Sequence, residues 1–279
     1  MFRLLKPRLS ISSINKRTIY EKPWPVVYDK EPEKLNILQK FERVKKEWKG
    51  EWKKNVQELR SKPRWYEQYK PVSYAEKVVW KFDGTEKSLD QWIVNCDCDY
   101  GHGYSTAKLE LSSNGTGIFH GVLDTTIPKN GQTTASGYCN ITSTPKLKSF
   151  KRIAPNNWLR YNELVLRVRG DGRCYLINLL CDKRFDVTRL HAHNYLMYTR
   201  GGPHWQVVRI PFSKFVFTNK AQVHEIQFPI VPVNVSNLGI TIADKISGPF
   251  RLEIDHISIC FNPTIFEASA YEMYKVYRG

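Results

Sequence analysis

The side chains able to do chemistry are few, and their spacing decides what they can build. Six cysteines stand at positions 96, 98, 139, 174, 181 and 260. Cys96 and Cys98, with His102 near, offer half a metal site, but the other half is missing and no Cys-x-x-Cys pair occurs. Alternate residues on a strand share a face, so the pair reads as two packed thiols, and all six cysteines are expected to be reduced. His191-x-His193 on an extended segment would put two imidazoles on one face, able to hold one zinc. They sit in a loop-like stretch, 186–194, with Asp182 and Asp186 upstream and no clear third ligand. Asp97, Asp99, Asp182, Glu253 and Asp255 give a glycosidase-type carboxylate pair no local signature. Gly-x-Ser-x-Gly, a phosphate-binding loop and His-Glu-x-x-His are all absent. No catalytic, cofactor-binding or metal-binding residue is therefore assigned, and no cofactor is expected.

Two places carry the residue types that anchor partners. The first is Tyr198-Thr-Arg-Gly-Gly-Pro-His-Trp205, where a Gly-Gly-Pro bend brings Arg200 and Trp205 to one turn. It is either an exposed anchor or a strand connection with Trp205 packed inward. The second is Trp48 and Trp52, one helical turn apart in a pattern running over about 32–60. Ile37, Phe41, Val44, Trp48, Trp52, Val56 and Leu59 fall in one stripe, and Lys34, Arg43, Lys46, Lys53 and Lys54 lie outside it. Such a helix, roughly 43 Å long, packs on the main domain through its Trp stripe or docks a partner or an anionic membrane surface. Trp48, Trp52, Arg200 and Trp205 are the candidate partner-binding residues.

The elements that must position these groups divide the 279 residues unevenly. The formal charge is +16, and residues 1–77 hold 20 Lys/Arg against 10 Asp/Glu, whereas the remainder holds 23 against 17. That distribution argues against a folded domain built around a nucleic-acid surface. Residues 1–20 are basic, contain serines and lack acids, the composition of a mitochondrial transit peptide. Residues 21–77 form a basic helical extension and linker. From residue 78 the texture is β-rich, with strands at 78–82, 92–96, 107–111, 117–125, 136–142, 163–169, 173–181, 195–199, 206–211, 238–243 and 250–261. Gly170-Asp171-Gly172 suggests a hairpin between adjacent strands. A phase change in the last strand calls for a β-bulge near Asp255 or His256. Residues 264–277 are expected to form a short closing helix. The fold class is all-β, an antiparallel sandwich with an N-terminal helical extension, divided as 1–20, 21–77, 78–262 and 263–279.

Several runs together carry a specific resemblance: Trp80-Lys-Phe-Asp, Ser136-Gly-Tyr-Cys-Asn, Glu163 to Arg173, Tyr198 to Gln206, Val208 to Phe215, Leu238 to Lys245 and Gly248 to Asp255. In this order they resemble the complex I intermediate-associated protein 30 family over about 78–261. The resemblance implies a galactose-binding-like jelly-roll β-sandwich. It also implies a non-enzymatic mitochondrial assembly factor, a chaperone or scaffold for membrane-arm intermediates of respiratory complex I (NADH:ubiquinone oxidoreductase). Implied partners are those intermediates, an acyl-CoA-dehydrogenase-like flavoprotein, a signalling-intermediate scaffold and membrane-embedded assembly factors. Nucleic acid is not a partner, and the location is the matrix, associated peripherally with the inner membrane. The family supplies no catalytic residues. The competing classes are a secreted carbohydrate-binding sandwich module, glycosylated at Asn114 or Asn140, and a sandwich-fold hydrolase using two carboxylates.

Overall fold

The computed structural model describes residues 37–60, 76–129, 131, 133, 135–181, 191–219 and 222–270. Residues 1–20, expected to act as a transit peptide, lie outside the described residues. Contacts divide the chain into units 1–44 and 45–279, with the boundary inside the long helix α1, Ile37–Arg60. Of the first unit only Ile37–Val44, the opening turns of α1, are described.

The second unit is built on two antiparallel sheets. Its strands in chain order are β1 Lys77–Lys81, β2 Trp92–Cys96, β3 Thr106–Leu111, β4 Gly117–Leu123, β5 Cys139–Ser143, β6 Glu163–Arg169 and β7 Cys174–Cys181. These are followed by β8 His191–Tyr198, β9 Gln206–Pro211, β10 Val216–Asn219, β11 Gln222–Val223, β12 Val235–Ile242 and β13 Gly248–Cys260. One sheet runs β3-β4-β13-β6-β9, with β1 also paired to β13. The other runs β11-β10-β8-β7-β12-β5-β2. A short helix α2, Glu86–Leu89, joins β1 to β2.

Alternation explains the packing. Leu164, Leu166 and Val168 of β6, with Leu252 and Ile254 of its sheet neighbour β13, face Tyr175, Ile177 and Leu179 of β7 and Leu238, Ile240 and Ile242 of β12, all in one apolar core. Three indoles plug one region, with Trp80 against Trp92 at 6.0 Å and against Trp158 at 6.1 Å between ring centroids. The expected bulge is present. Pairing of β13 with β6 shifts register between Ile254 and His256, so Phe250, Leu252, Ile254, Ile257 and Ile259 all turn inward.

Two expectations are corrected. Gly170-Asp171-Gly172 does not close a hairpin, because β6 and β7 belong to different sheets. The turn carries the chain across the sandwich, and its glycines serve that crossing. Gly172 has φ +92°, and a Cβ on Gly170 would overlap the Thr199 side chain. Asp171 anchors the crossing by accepting the N–H of Arg251 at 2.7 Å and the Tyr175 hydroxyl at 3.1 Å. Nor does a closing helix start at 264. Asn262 draws Thr264 into a side-chain turn, and Ala270 donates its N–H to the Ser213 carbonyl, so 264–270 follow the sandwich wall. Residues 271–277 lie outside the described residues.

Candidate partner-binding site

Helix α1 meets the sandwich through carboxylates and leaves its indoles outside. The loop Ser149-Phe150-Lys151 makes one tight turn in which Phe150 sits at φ 57°, ψ 35°. A residue in that left-handed region next to normal backbone aims successive N–H groups at one point, a ready anion cradle. Two α1 side chains fill it. Glu58 accepts the N–H of Ser149 at 2.6 Å and its hydroxyl at 3.2 Å, while Glu51 accepts the N–H of Phe150 at 2.5 Å. Arg152 closes the clasp with a 2.8 Å bond to Glu58. The Ser149 N–H is the main reason the Glu58 carboxyl lies below its ordinary range.

Trp48 and Trp52, one turn apart, stack at 5.8 Å with their planes 12° apart. Trp48 also meets Phe150 in a T-shaped contact, with ring centroids 6.3 Å apart. They remain 60% and 53% exposed, with Leu59 exposed beyond them. At about 100° per residue, Lys45, Lys49 and Lys53 follow on the side turned away from Glu51 and Glu58. The helix surface is thus ordered as an acidic edge that holds the sandwich, an aromatic strip and a basic band. The stripe has two readings, packing on the main domain or facing a partner, and Val44, Trp48, Trp52 and Leu59 are exposed.

Arg200 and Trp205 lie where the sheet containing β6 and β9 ends. Trp205 is half-buried, with the guanidinium groups of Arg167 and Arg169 each 5.2 Å from its ring centroid. Those arginines belong to an ionic row. Arg167 bonds Asp255 at 2.6 Å, and Arg169 bonds Glu253 through Nε at 3.0 Å. Thr116 donates to the other Glu253 oxygen. Burial raises the Glu253 carboxyl, but Thr116 and Arg169 outweigh it and hold the group below the usual range. Trp205 is therefore neither core nor fully exposed, and Arg200 beside it is exposed, with its backbone N–H held by the Gln206 side chain at 2.8 Å.

His191 and His193 stand on strand β8 rather than in a loop, and share a face as their spacing requires. That face is occupied by Phe217, whose ring is 5.1 Å from His191 and 5.2 Å from His193. His193 is buried, with Nε2 3.0 Å from the Phe228 carbonyl. Asp97 is fully buried and accepts the N–H groups of Ser105 at 2.8 Å and Gly137 at 2.7 Å, so it is a structural pin. Asp255 and Glu253 are taken up by arginines, as above, and Asp182 lies outside the described residues. All six cysteines carry free thiols. Cys260 donates to Glu163 at 2.9 Å, and burial pushes its thiol up to about 11, away from reactivity. Beside it lies a cavity of about 300 Å³ lined by Glu76, Glu163, Arg209 and Asn262, among others, with Arg209 bonded to Glu163 at 3.0 Å. Nothing in the hydrophobic pattern marks 149–152 as the seat of α1. The only local hint is its charge, Lys148, Lys151 and Arg152 around a serine.

The second unit is thus a jelly-roll β-sandwich that carries a helix by a charged clasp, with aromatic and basic side chains outward. The chain belongs to the complex I intermediate-associated protein 30 family, whose profile matches residues 80–254. It is 45% identical over 200 residues to "Complex I intermediate-associated protein 30, mitochondrial" of Drosophila melanogaster, covering 71% of this chain and 67% of that one. The Mus musculus protein of the same description is 42% identical over 197 residues, covering 70% of this chain and 60% of that relative's length. Among solved structures, a family 11 carbohydrate-binding module from a Clostridium thermocellum cellulase superposes with a TM-score of 0.49 at 14% identity, covering 68% of this chain and 96% of the module. Among the described residues no helix is long and apolar enough to cross a membrane.

Proposed function

We propose that the chain is a mitochondrial assembly factor that binds intermediates of respiratory complex I and acts as a scaffold rather than as a catalyst. The observation that carries this reading is the Trp48–Trp52 stack, left outward on a helix whose acidic edge is already spent on the sandwich. Two exposed indoles at adjacent turns form an anchor of the kind that dominates interface energetics. The names of the fly and mouse relatives supply the partner class and the compartment.

The finer reading follows. Residues 1–20 act as a cleaved transit peptide, 21–77 as a basic extension, 78–262 as the sandwich and 263–279 as a tail. The sandwich sits on the matrix side of the inner membrane and serves intermediates of the membrane arm. It works with the flavoprotein, scaffold and membrane-embedded partners expected from the family. Arg200 and Trp205 form a second contact point.

The test is removal of the gene in the source organism. Membrane-arm intermediates should accumulate at the expense of mature complex I, and the tagged chain should capture them from mitochondria. Normal complex I levels without the protein would overturn the reading.

A further inference from the structure

We propose that Cys96, Cys98 and Asp99 form a three-donor binding site for a thiophilic d10 metal ion, Zn²⁺ or Cu⁺. The two sulfurs and a carboxylate oxygen of the triplet lie within 4.8 Å of one another. Two sulfurs on one tetrahedral zinc stand about 3.8 Å apart, given Zn–S of about 2.3 Å. The triplet thus needs a contraction of at most about 1 Å.

The fold builds this cluster at the end of one strand. Strand β2 ends at Cys96, and a single 3-10 turn, Asp97–Tyr100, follows at once. That turn swings Cys98 and Asp99 back over the strand end, where continued extension would have carried them past it. Strand β5 places Cys139 directly opposite Cys96 in register, on the core side of the triplet. Cys96 and Cys139 are buried while Cys98 is exposed, so the cluster reaches from the core to solvent and an ion has a way in.

The groups around the donors suit a bound cation. The N–H of Asp99 points at the Cys96 sulfur, and the Asp99 carboxylate in return accepts the Cys96 N–H at 2.7 Å. An N–H aimed at a ligating sulfur is the outer-sphere contact that orients a thiolate and tunes its ion. Asp99 adds a carboxylate to the two sulfurs, and no basic residue stands in 96–99 to compete with a cation. Thiolate donors select soft d10 ions over Mg²⁺ and Ca²⁺.

The experiment uses the full chain, reduced and freed of metal. Zn²⁺ and, under anaerobic reductant, Cu⁺ are titrated separately, and Co²⁺ serves as the spectroscopic probe. One equivalent should bind tightly, with a thiolate-to-cobalt charge-transfer band, and preference between the Zn²⁺ and Cu⁺ arms names the ion. Cys98→Ser alters an exposed side chain and should leave the fold intact, yet weaken binding by about a hundredfold or more, beyond the usual effect of an outer-sphere change. Cys174→Ser, away from the cluster, should bind as the unaltered chain does. Substoichiometric binding, a cobalt spectrum without the thiolate band, unchanged affinity in Cys98→Ser, or a native Cys96–Cys139 disulfide would each overturn the proposal.

Discussion

The Glu58 carboxylate accepts the backbone N–H of Ser149 at 2.6 Å, and this bond joins the basic extension to the sandwich. Beside it, the Glu51 carboxylate does the same for Phe150, so two adjacent amides of one turn are held by two side chains of one helix. The arrangement makes α1 a clasped element whose attachment is electrostatic and whose apolar side is outward. Such an attachment responds to charge, and the helix can be released without opening the core.

Glu51→Gln with Glu58→Gln should detach α1 from 149–152 while the sandwich keeps its melting temperature within a few degrees. Hydrogen exchange reads this directly, since Ser149 and Phe150 amides should lose protection and those of β6, β7 and β12 should keep it. A melting temperature lowered by more than about 8 °C, the scale of a 2–4 kcal/mol loss in a domain of this size, would make α1 part of the core.

The same clasp should be pH-dependent in a definite sense. The Glu58 carboxyl is held below its normal value of 4.5, chiefly by the Ser149 N–H. A depressed carboxyl contributes stability that is present above its unfolded pKa and lost as pH falls through the folded one. Docking of α1 should thus be complete from neutrality to about pH 5 and weaken below about pH 4.5. Fluorescence of Trp48 at the Phe150 contact follows it, and a transition centred near pH 6 would contradict the assignment.

Glycine substitutions separate a free position from two constrained ones. A Cβ at Gly50 meets nothing within 4 Å, so Gly50→Ala should stabilise α1 by about 0.5–1 kcal/mol through the backbone entropy of glycine. Gly170→Ala should destabilise the sandwich by about 1–3 kcal/mol through overlap with Thr199. Gly172→Val should cost at least about 1 kcal/mol because φ is +92° there. Urea unfolding measures all three. Equal midpoints for Gly50→Ala and Gly170→Ala would refute the distinction.

Much of the sandwich was legible because its strands are bounded by strong turn residues. Trp92–Cys96, Glu163–Arg169 and Gln206–Pro211 match their expected limits, and the slip of phase in β13 locates the bulge at Asp255. Topology was less legible. Gly-Asp-Gly has hairpin chemistry, but whether it closes a hairpin depends on which sheet receives β7, and Thr199 and Arg251 decide that from far along the chain. Strands β10 and β11 are short and lack a clear alternating run, so no local signal marked them. At the candidate site the residue types were readable and their orientation was not. A stripe of Val44, Trp48, Trp52 and Leu59 looks like a buried face until Glu51 and Glu58 find amides to bind. Those amides exist only because Phe150 takes a left-handed conformation that no pattern in 148–152 announces.

The ionic row under Trp205 should be structural. Glu253 is almost fully buried and held by Arg169 and Thr116. Removing Arg169 by Arg169→Ala leaves that carboxylate unpaired, which typically costs about 3–5 kcal/mol. Arg200→Ala, on an exposed side chain, should change stability by no more than about 0.5 kcal/mol. Thermal unfolding of the two variants tests the contrast, and equal effects would place Arg200 in the same network.

The central claim is that the outward Trp48–Trp52 face is the surface through which this chain serves complex I assembly. Its direct test is the double substitution Trp48→Ala and Trp52→Ala, expressed in cells lacking the chain, with mature complex I quantified on native gels. The double variant should melt near the normal temperature, because both indoles are exposed, yet restore little complex I and capture few intermediates. Full restoration of complex I by the double variant at normal protein levels would contradict it.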